Sequence, residues 1–148
     1  MTLYLGADLH ESCLKISSKH SDYATRPIQT AFDWSPLYGC SFDRLYLVVF
    51  RSVRRPDADL ELLREHDDRA YEEALRSGGL LRYFKGNANE GGECLSFCLW
   101  ETDKQAREAA SAASHESAAN ITARMYLSYV LDRYWLKRVG RELVFERI

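Results

Sequence analysis

The sequence predicts an α+β domain of ferredoxin-like order, β-α-β-β-α-β, led in by an N-terminal arm. Three observations carry this. From residue 44 onward, short apolar runs of strand type take turns with two amphipathic patterns of helical period. Glycine pairs, a proline and capping residues mark the boundaries between them. The resulting order is that of a split βαβ unit, in which both helices cover one face of an antiparallel sheet.

Residues 1–43 are the least regular part of the chain. They hold two of its three prolines and the turn-rich "DWSPLYGCSFD". Phe32, Trp34, Pro36 and Tyr38 are too apolar for a free tail. Residues 1–43 are therefore expected to pack as an arm on a domain formed by 44–148, with 30–43 ordered against it. "RLYLVVFRS" (44–52) is the first strand, apolar on both alternating faces. "RRPDAD" is a turn and helix start, with Asp57 or Asp59 as N-cap. A helix follows to about Ser77. Its Leu60, Leu63, Ala70, Tyr71 and Ala74 keep the helical spacing, and the glycines at 78–79 stop it.

"LLRYFKG" (80–86) is the next strand, "NANEGG" a hairpin-type connection and "ECLSFCLWE" the third strand. Thr102 and Gln105 form an S/T-x-x-E/Q box that opens a second helix. That helix is expected to shift near Ser114 and to continue to about Tyr126. "LDRYWLKR", "VG" and "RELVFERI" close the chain as a strand, a turn and an edge strand.

The third strand raises a problem. Cys94, Ser96, Cys98 and Trp100 alternate with Leu95, Phe97 and Leu99. An antiparallel sheet usually keeps one wet, polar face, and this one has none. The helices cover one face. A second copy of the sheet is the simplest cover for the other, so a homodimer is expected.

A chain of 148 residues, 46% hydrophobic and 28% charged, is of the size of one globular domain. Its net charge of −2, with basic residues scattered, argues against nucleic-acid or polyanion partners. No apolar run approaches bilayer length. "MTLYLGADLHESCLKISSKH" lacks the plan of a signal peptide. A cytoplasmic protein with no membrane partner is expected. Cys94 and Cys98 lie roughly 13 Å apart along a strand, too far to share a metal or a disulfide. They are expected to be reduced and inert. Phosphate-loop, nucleophile-elbow, zinc-helix and RNA-recognition signatures are all missing from the sequence.

Two polar residues stand on apolar helix faces. At about 100° per residue, Asp67 falls near the centre of the first helix's apolar stripe, with His66 and Asp68 at its edges. A carboxylate there is costly unless partnered. It either bonds a tyrosine hydroxyl and fixes packing, or it belongs to a site. On a helix through 115–129, Ala118, Ala119, Thr122, Met125, Tyr126 and Tyr129 form one face, with His115 at its middle. Both helices pack on one side of the sheet, so Asp67 and His115 are expected to share a space. A His–carboxylate pair is the minimal acid–base set. The small Cys94, Ser96 and Cys98 would floor a pocket there, and Tyr71, Tyr83, Trp100, Tyr126 and Tyr129 would wall it. The same aromatic spacing also suits a plain core. "RSVRRP", three arginines in five residues, is a solvated strand end or a gate for an anionic substrate.

"FRSVRRPDAD", "GGLLRYFKG", "CLSFCLWETDKQAREAA" and "SHESAANITARMYLSYVLDRYWL" resemble a small family of fungal and bacterial proteins of uncharacterised function. More distantly, residues 44–137 resemble the dimeric α+β barrel superfamily, which includes antibiotic-biosynthesis monooxygenases and haem-degrading relatives. The resemblance implies a homodimer with one small-molecule pocket per subunit and cofactor-independent chemistry on an apolar or aromatic substrate. Oxygenation through a carbanion, isomerisation or cyclisation would fit. His115 would be base or acid, Asp67 its orienter, and Tyr126 or Tyr83 a donor to substrate oxygen. Tyr71, Tyr83, Ser96, Trp100 and Tyr129 would contact the substrate. A non-catalytic dimeric ligand-binding module is the alternative, and haem held by His115 a third reading. The haem-degrading branch carries a tryptophan inside the second helix, whereas residues 106–113 read "AREAASAA". Neither cofactor nor metal is therefore expected.

Overall fold

A computed structural model describes residues 8–111, 121 and 123–148. The arm comprises α1 (Leu9–Leu14), β1 (Ser17–Ser18), α2 (Ile28–Ala31) and β2 (Phe32–Asp33). Then follow β3 (Arg44–Arg54), α3 (Leu60–Ser77), β4 (Leu80–Phe84), β5 (Glu93–Trp100), α4 (Asp103–Ala110), β6 (Tyr126–Val139) and β7 (Glu142–Arg147). The main sheet is antiparallel, in the order β4-β5-β3-β6-β7. This is the ferredoxin-like α+β fold that the element order predicts, with β7 added as a hairpin edge.

The local signals act as their chemistry requires. Asp59, rather than Asp57, caps α3 and accepts from the Leu62 amide at 3.1 Å. Gly78, at φ 77°, ends it in a conformation that disfavours any side chain. The Thr102 hydroxyl accepts from the Gln105 amide at 3.3 Å and lies 2.9 Å from Gln105 Oε1, which closes the box that opens α4.

Residues 123–125 are helical, as the expected end near Tyr126 requires, but Tyr126 and Tyr129, read on one face of a helix through 115–129, belong to a strand instead. Tyr126 begins β6 and Tyr129 lies within it, paired with Ser52 of β3. "YLSYVLDRYW" is rich in aromatic and branched residues that suit a pleated surface. The long β3 offers backbone partners through to Arg54, opposite Tyr126.

The sheet face opposite α3 and α4 meets the arm, where the sequence suggested a second copy. Cys13, Ile16, Ile28, Phe32, Trp34 and Leu37 pack on Leu45, Leu47, Val49, Leu95, Phe97, Leu99 and Leu136, each no more than 4% exposed. The ring centroid of Phe32 lies 4.8 Å from that of Phe84 and 4.9 Å from that of Phe97, both edge-on. The Trp34 indole N–H donates to the Ile28 carbonyl at 3.1 Å, so even this buried polar atom is satisfied. Leu95, Phe97 and Leu99 are fully buried within one chain. This face therefore needs no second copy to cover it.

Three arginines of the sheet fasten the arm's backbone. Arg51 donates to the carbonyls of Ala24 (3.2 Å) and Arg26 (2.7 Å). Arg82 donates to Ile16 at 3.1 Å. Arg138 donates to Leu37 and Cys40, both at 2.8 Å, and to Tyr38. An arm with so little regular structure has carbonyls without ladder partners, and guanidinium groups supply charge-assisted donors for them.

Removing an arm ring should therefore unfold the sheet's cover. Phe32→Ala is expected to cost about 3–5 kcal/mol in urea unfolding. Tyr38→Ala, whose side chain is exposed, should change stability by less than about 0.5 kcal/mol.

Candidate active site

On the helix side, the sheet is covered incompletely. Ala74 of α3 and Ala106 and Ala109 of α4 pack on Tyr46, Val48, Leu80 and Trp100 near one end. The helices there lie close, because alanines hold them close. From this cluster toward the other end of β3 the layers part around a cavity of about 260 Å³, which the cluster closes at one end. That is slightly below the range of about 300–1,000 Å³ usual for small-molecule pockets. It leaves room for a ligand of one or two rings.

Strand alternation decides what faces this space. Ser52 pairs with Cys94, Phe50 with Ser96 and Val48 with Cys98, so their side chains share the helix-facing side. From β6, Tyr126 and Tyr129 join them opposite Arg54 and Ser52. Tyr83 and Lys85 enter from β4 and its end, and Leu63, His66, Asp67 and Ala70 from α3. The floor is small and weakly polar, and the walls are aromatic. Gly86 sits where a Cβ would collide with the Leu95 carbonyl. Its amide donates to Ser96 Oγ at 3.0 Å and its carbonyl accepts from Cys94 Sγ at 3.4 Å.

Asp67 is the acidic group of this lining among the described residues. Its Oδ2 lies 3.3 Å from Lys85 Nζ. Burial raises its pKa above the ordinary carboxylate range, and the opposing pull of Lys85 and Arg54 does not cancel that. Burial, then the charge of Asp67, pushes the Tyr83 phenol well up. Tyr129 is raised by burial first and Tyr126 next, and Tyr126 by burial and Asp67 against the neighbouring Arg54. These phenols therefore stay protonated across the neutral range and serve as donors. Burial lifts the Cys98 thiol to about 12, so it offers no thiolate nucleophile.

The structure places Asp67, Tyr71, Tyr83, Ser96, Trp100, Tyr126 and Tyr129 around this one cavity. The rings of Tyr71 and Tyr83 lie tilted with centroids 5.4 Å apart, and those of Tyr126 and Tyr129 likewise at 5.3 Å. His115 lies outside the described residues, and so does its relation to Asp67. Leu60, assigned to the apolar stripe, is 60% exposed, and the stripe that packs begins at Leu63.

Lys85, Arg107 and Arg133 are polar lining for which the sequence offers no reading, whereas His66 falls at the edge of the α3 stripe and Arg54 within the "RSVRRP" cluster. The signal for Arg54 was present in the alternation Phe50, Ser52, Arg54 along one strand face. "RSVRRP" is in fact divided three ways. Arg51 holds the arm, Arg54 lines the cavity, and Arg55 stands 3.8 Å from Asp57.

The sequence profile of the PB2B2.08-like family matches residues 6–147, arm included. The chain belongs to this family. The UPF0643 protein PB2B2.08 of Schizosaccharomyces pombe is 28% identical over 109 residues, which cover 68% of this chain and 50% of that protein. The chain thus spans about half the length of this curated relative. Among solved structures, a candidate antibiotic biosynthesis monooxygenase from Nitrosomonas europaea aligns with TM-score 0.54 and 14% identity, covering 68% of this chain and 96% of that one. SnoaB, a cofactor-independent oxygenase from Streptomyces nogalater, aligns with TM-score 0.52 and 12% identity, covering 68% of this chain and all (100%) of SnoaB. At such identities the likeness establishes the fold alone, the ferredoxin-like α+β arrangement that these structures share.

The raised pKa of Asp67 has a stability consequence with a definite sign. The fold favours the protonated carboxyl. Its contribution is complete below the ordinary carboxylate pKa of about 3.9 and is lost as pH rises through the raised value. Asp67→Asn mimics the protonated group, and Lys85 is exposed enough to be served by water. Thermal melts should give the variant a higher Tm than the parent at pH 7, with the two converging in acid.

Proposed function

We propose that the chain is a cofactor-independent enzyme that moves a proton on a small apolar or aromatic substrate bound in the cavity between sheet and helices. The observation that carries this reading is a half-buried carboxylate of raised proton affinity facing phenol donors in an aromatic-walled space. Such pairs of titratable groups with separated affinities are what acid–base chemistry needs.

Asp67 is the base. Burial strengthens its grip on a proton, and Lys85 keeps it ionised before the proton arrives. A substrate carbon beside a carbonyl would lose its proton to Asp67. The oxygen that gathers the resulting charge would be met by Tyr83 or Tyr126, whose hydroxyls stay protonated and so can donate to it. A stabilised carbanion of this kind can be reprotonated elsewhere, close a ring or react with dioxygen. These are the isomerase, cyclase and oxygenase outcomes. The fold shared with a cofactor-independent oxygenase supports the last of them. His115 stays a second candidate for the proton-transfer role, on the sequence alone.

The test is α-proton exchange. In deuterated buffer, 2-tetralone and related aromatic ketones should exchange their α-protons faster with the protein than without it. Asp67→Asn should lower that acceleration by about 10²–10⁴-fold, and Tyr126→Phe by less. Ketones that bind without faster exchange would identify a binding module. Loss of exchange in His115→Ala with Asp67→Asn unaffected would transfer the role to His115.

A further inference from the structure

Resting on the cavity reading above, we infer that Arg54 is the docking point for an acidic group, and that the cavity prefers an aromatic monocarboxylate over its neutral counterpart. The cavity is graded along its length. At the Tyr46 end its lining is mostly apolar, with Val48, Ala74, Trp100, Ala106 and Ala109 beside Arg107 and Arg133. At the Arg54 end, set by the pairing of Arg54 with Tyr126 and of Ser52 with Cys94, lie Ser52, Ser96, Asp67, Lys85 and the Tyr126 hydroxyl. A ligand that satisfies both ends has an apolar ring system and a polar head.

The charge of that end fixes the sign of the head. Asp67 is its acidic group among the described residues and is engaged by Lys85. Arg107, farther along the lining, is paired with Asp103. Arg54 forms an ion pair with no described residue. It lies close enough to Asp67, Cys94 and Tyr126 to act on all three. Among the described residues, a cation without an ion-pair partner thus remains beside a largely apolar cavity.

Hydrogen bonding points the same way. Arg54 Nε and His66 Nδ1 both belong to residues lining the cavity, and both atoms are buried with no hydrogen-bond partner among the described residues. Buried polar atoms in this condition are few in folded proteins and call for a partner. Arg82 Nε shares the condition, but its guanidinium lies over the Phe84 ring on the arm side of the sheet. The Arg54 fork matches a carboxylate, which accepts two parallel bonds. At this end Lys85 is engaged by Asp67, which leaves the Arg54 guanidinium to meet a single negative charge.

Titration calorimetry with 2-naphthoate and its neutral counterpart 2-naphthamide tests this. The wild-type chain should bind the acid more tightly by about tenfold or more, as expected for hydrogen bonds to a charged group. Arg54→Gln should bring the acid down to the amide's affinity and leave the amide unchanged. Arg54→Lys should retain part of the preference, and Arg55→Gln all of it. Thermal melts check that each variant is folded. Equal binding of acid and amide by wild type, or a preference that survives in folded Arg54→Gln, overturns the inference and leaves the cavity reading standing. Binding of neither compound overturns the small-molecule pocket itself, and the inference with it.

Discussion

The constraint on which this molecule is built is a sheet with no wet face. β5 presents Leu95, Phe97 and Leu99 on one side and Cys94, Cys98 and Trp100 on the other, and β3 is buried through its centre on both. Each apolar side chain left in water would forgo about 1.5–3 kcal/mol. The sheet therefore has to be covered twice. The two covers differ in kind. The arm brings large rings and fills its side densely. The helices bring alanines at one end and leave a gap at the other. The candidate site is the gap in the second cover.

Arginine does two different jobs around this sheet. Arg51, Arg82 and Arg138 present their N–H groups to arm carbonyls that no strand partner reaches. Their donors complete the backbone accounting of an irregular segment. Arg54 is three residues from Arg51 and faces the other side of the sheet, where its guanidinium meets the cavity. Strand periodicity and the irregularity between Val53 and Arg54 separate the two roles. Asp67 is the counterpart on the helix side. Its position costs the fold some stability at neutral pH, as polar groups at functional sites commonly do.

Much of the fold was legible because its signals are local. The Asp59 cap, the glycines after Ser77, the Thr102 box and the alternation of β5 can each be read within a few residues. Asp67 was legible too, since one carboxylate in an apolar stripe stands out by its spacing. What covers the second sheet face was not. Alternation reports that a face is apolar and is silent on the identity of its cover, and a second copy and an arm satisfy it equally. The start of β6 was misplaced because "ITARMYLSYV" carries helical and strand spacings at once, and pairing with β3 decides between them. Arg54 was read together with its neighbours as one charge cluster, although the three side chains part company across the strand.

The arm's seat sets an order of events for the growing chain. The carbonyl of Leu37 is held by Arg138, 101 positions later. Trp34 packs on Phe145, farther still along the sequence. Translation at about 5–20 residues per second separates those partners by roughly 5–20 s. For that interval Phe32 and Trp34 have left the ribosome and β6 and β7 have not been made. Contacts so distant in sequence also form slowly after release. The segment that seals the finished sheet is thus made well before the strands that it seals.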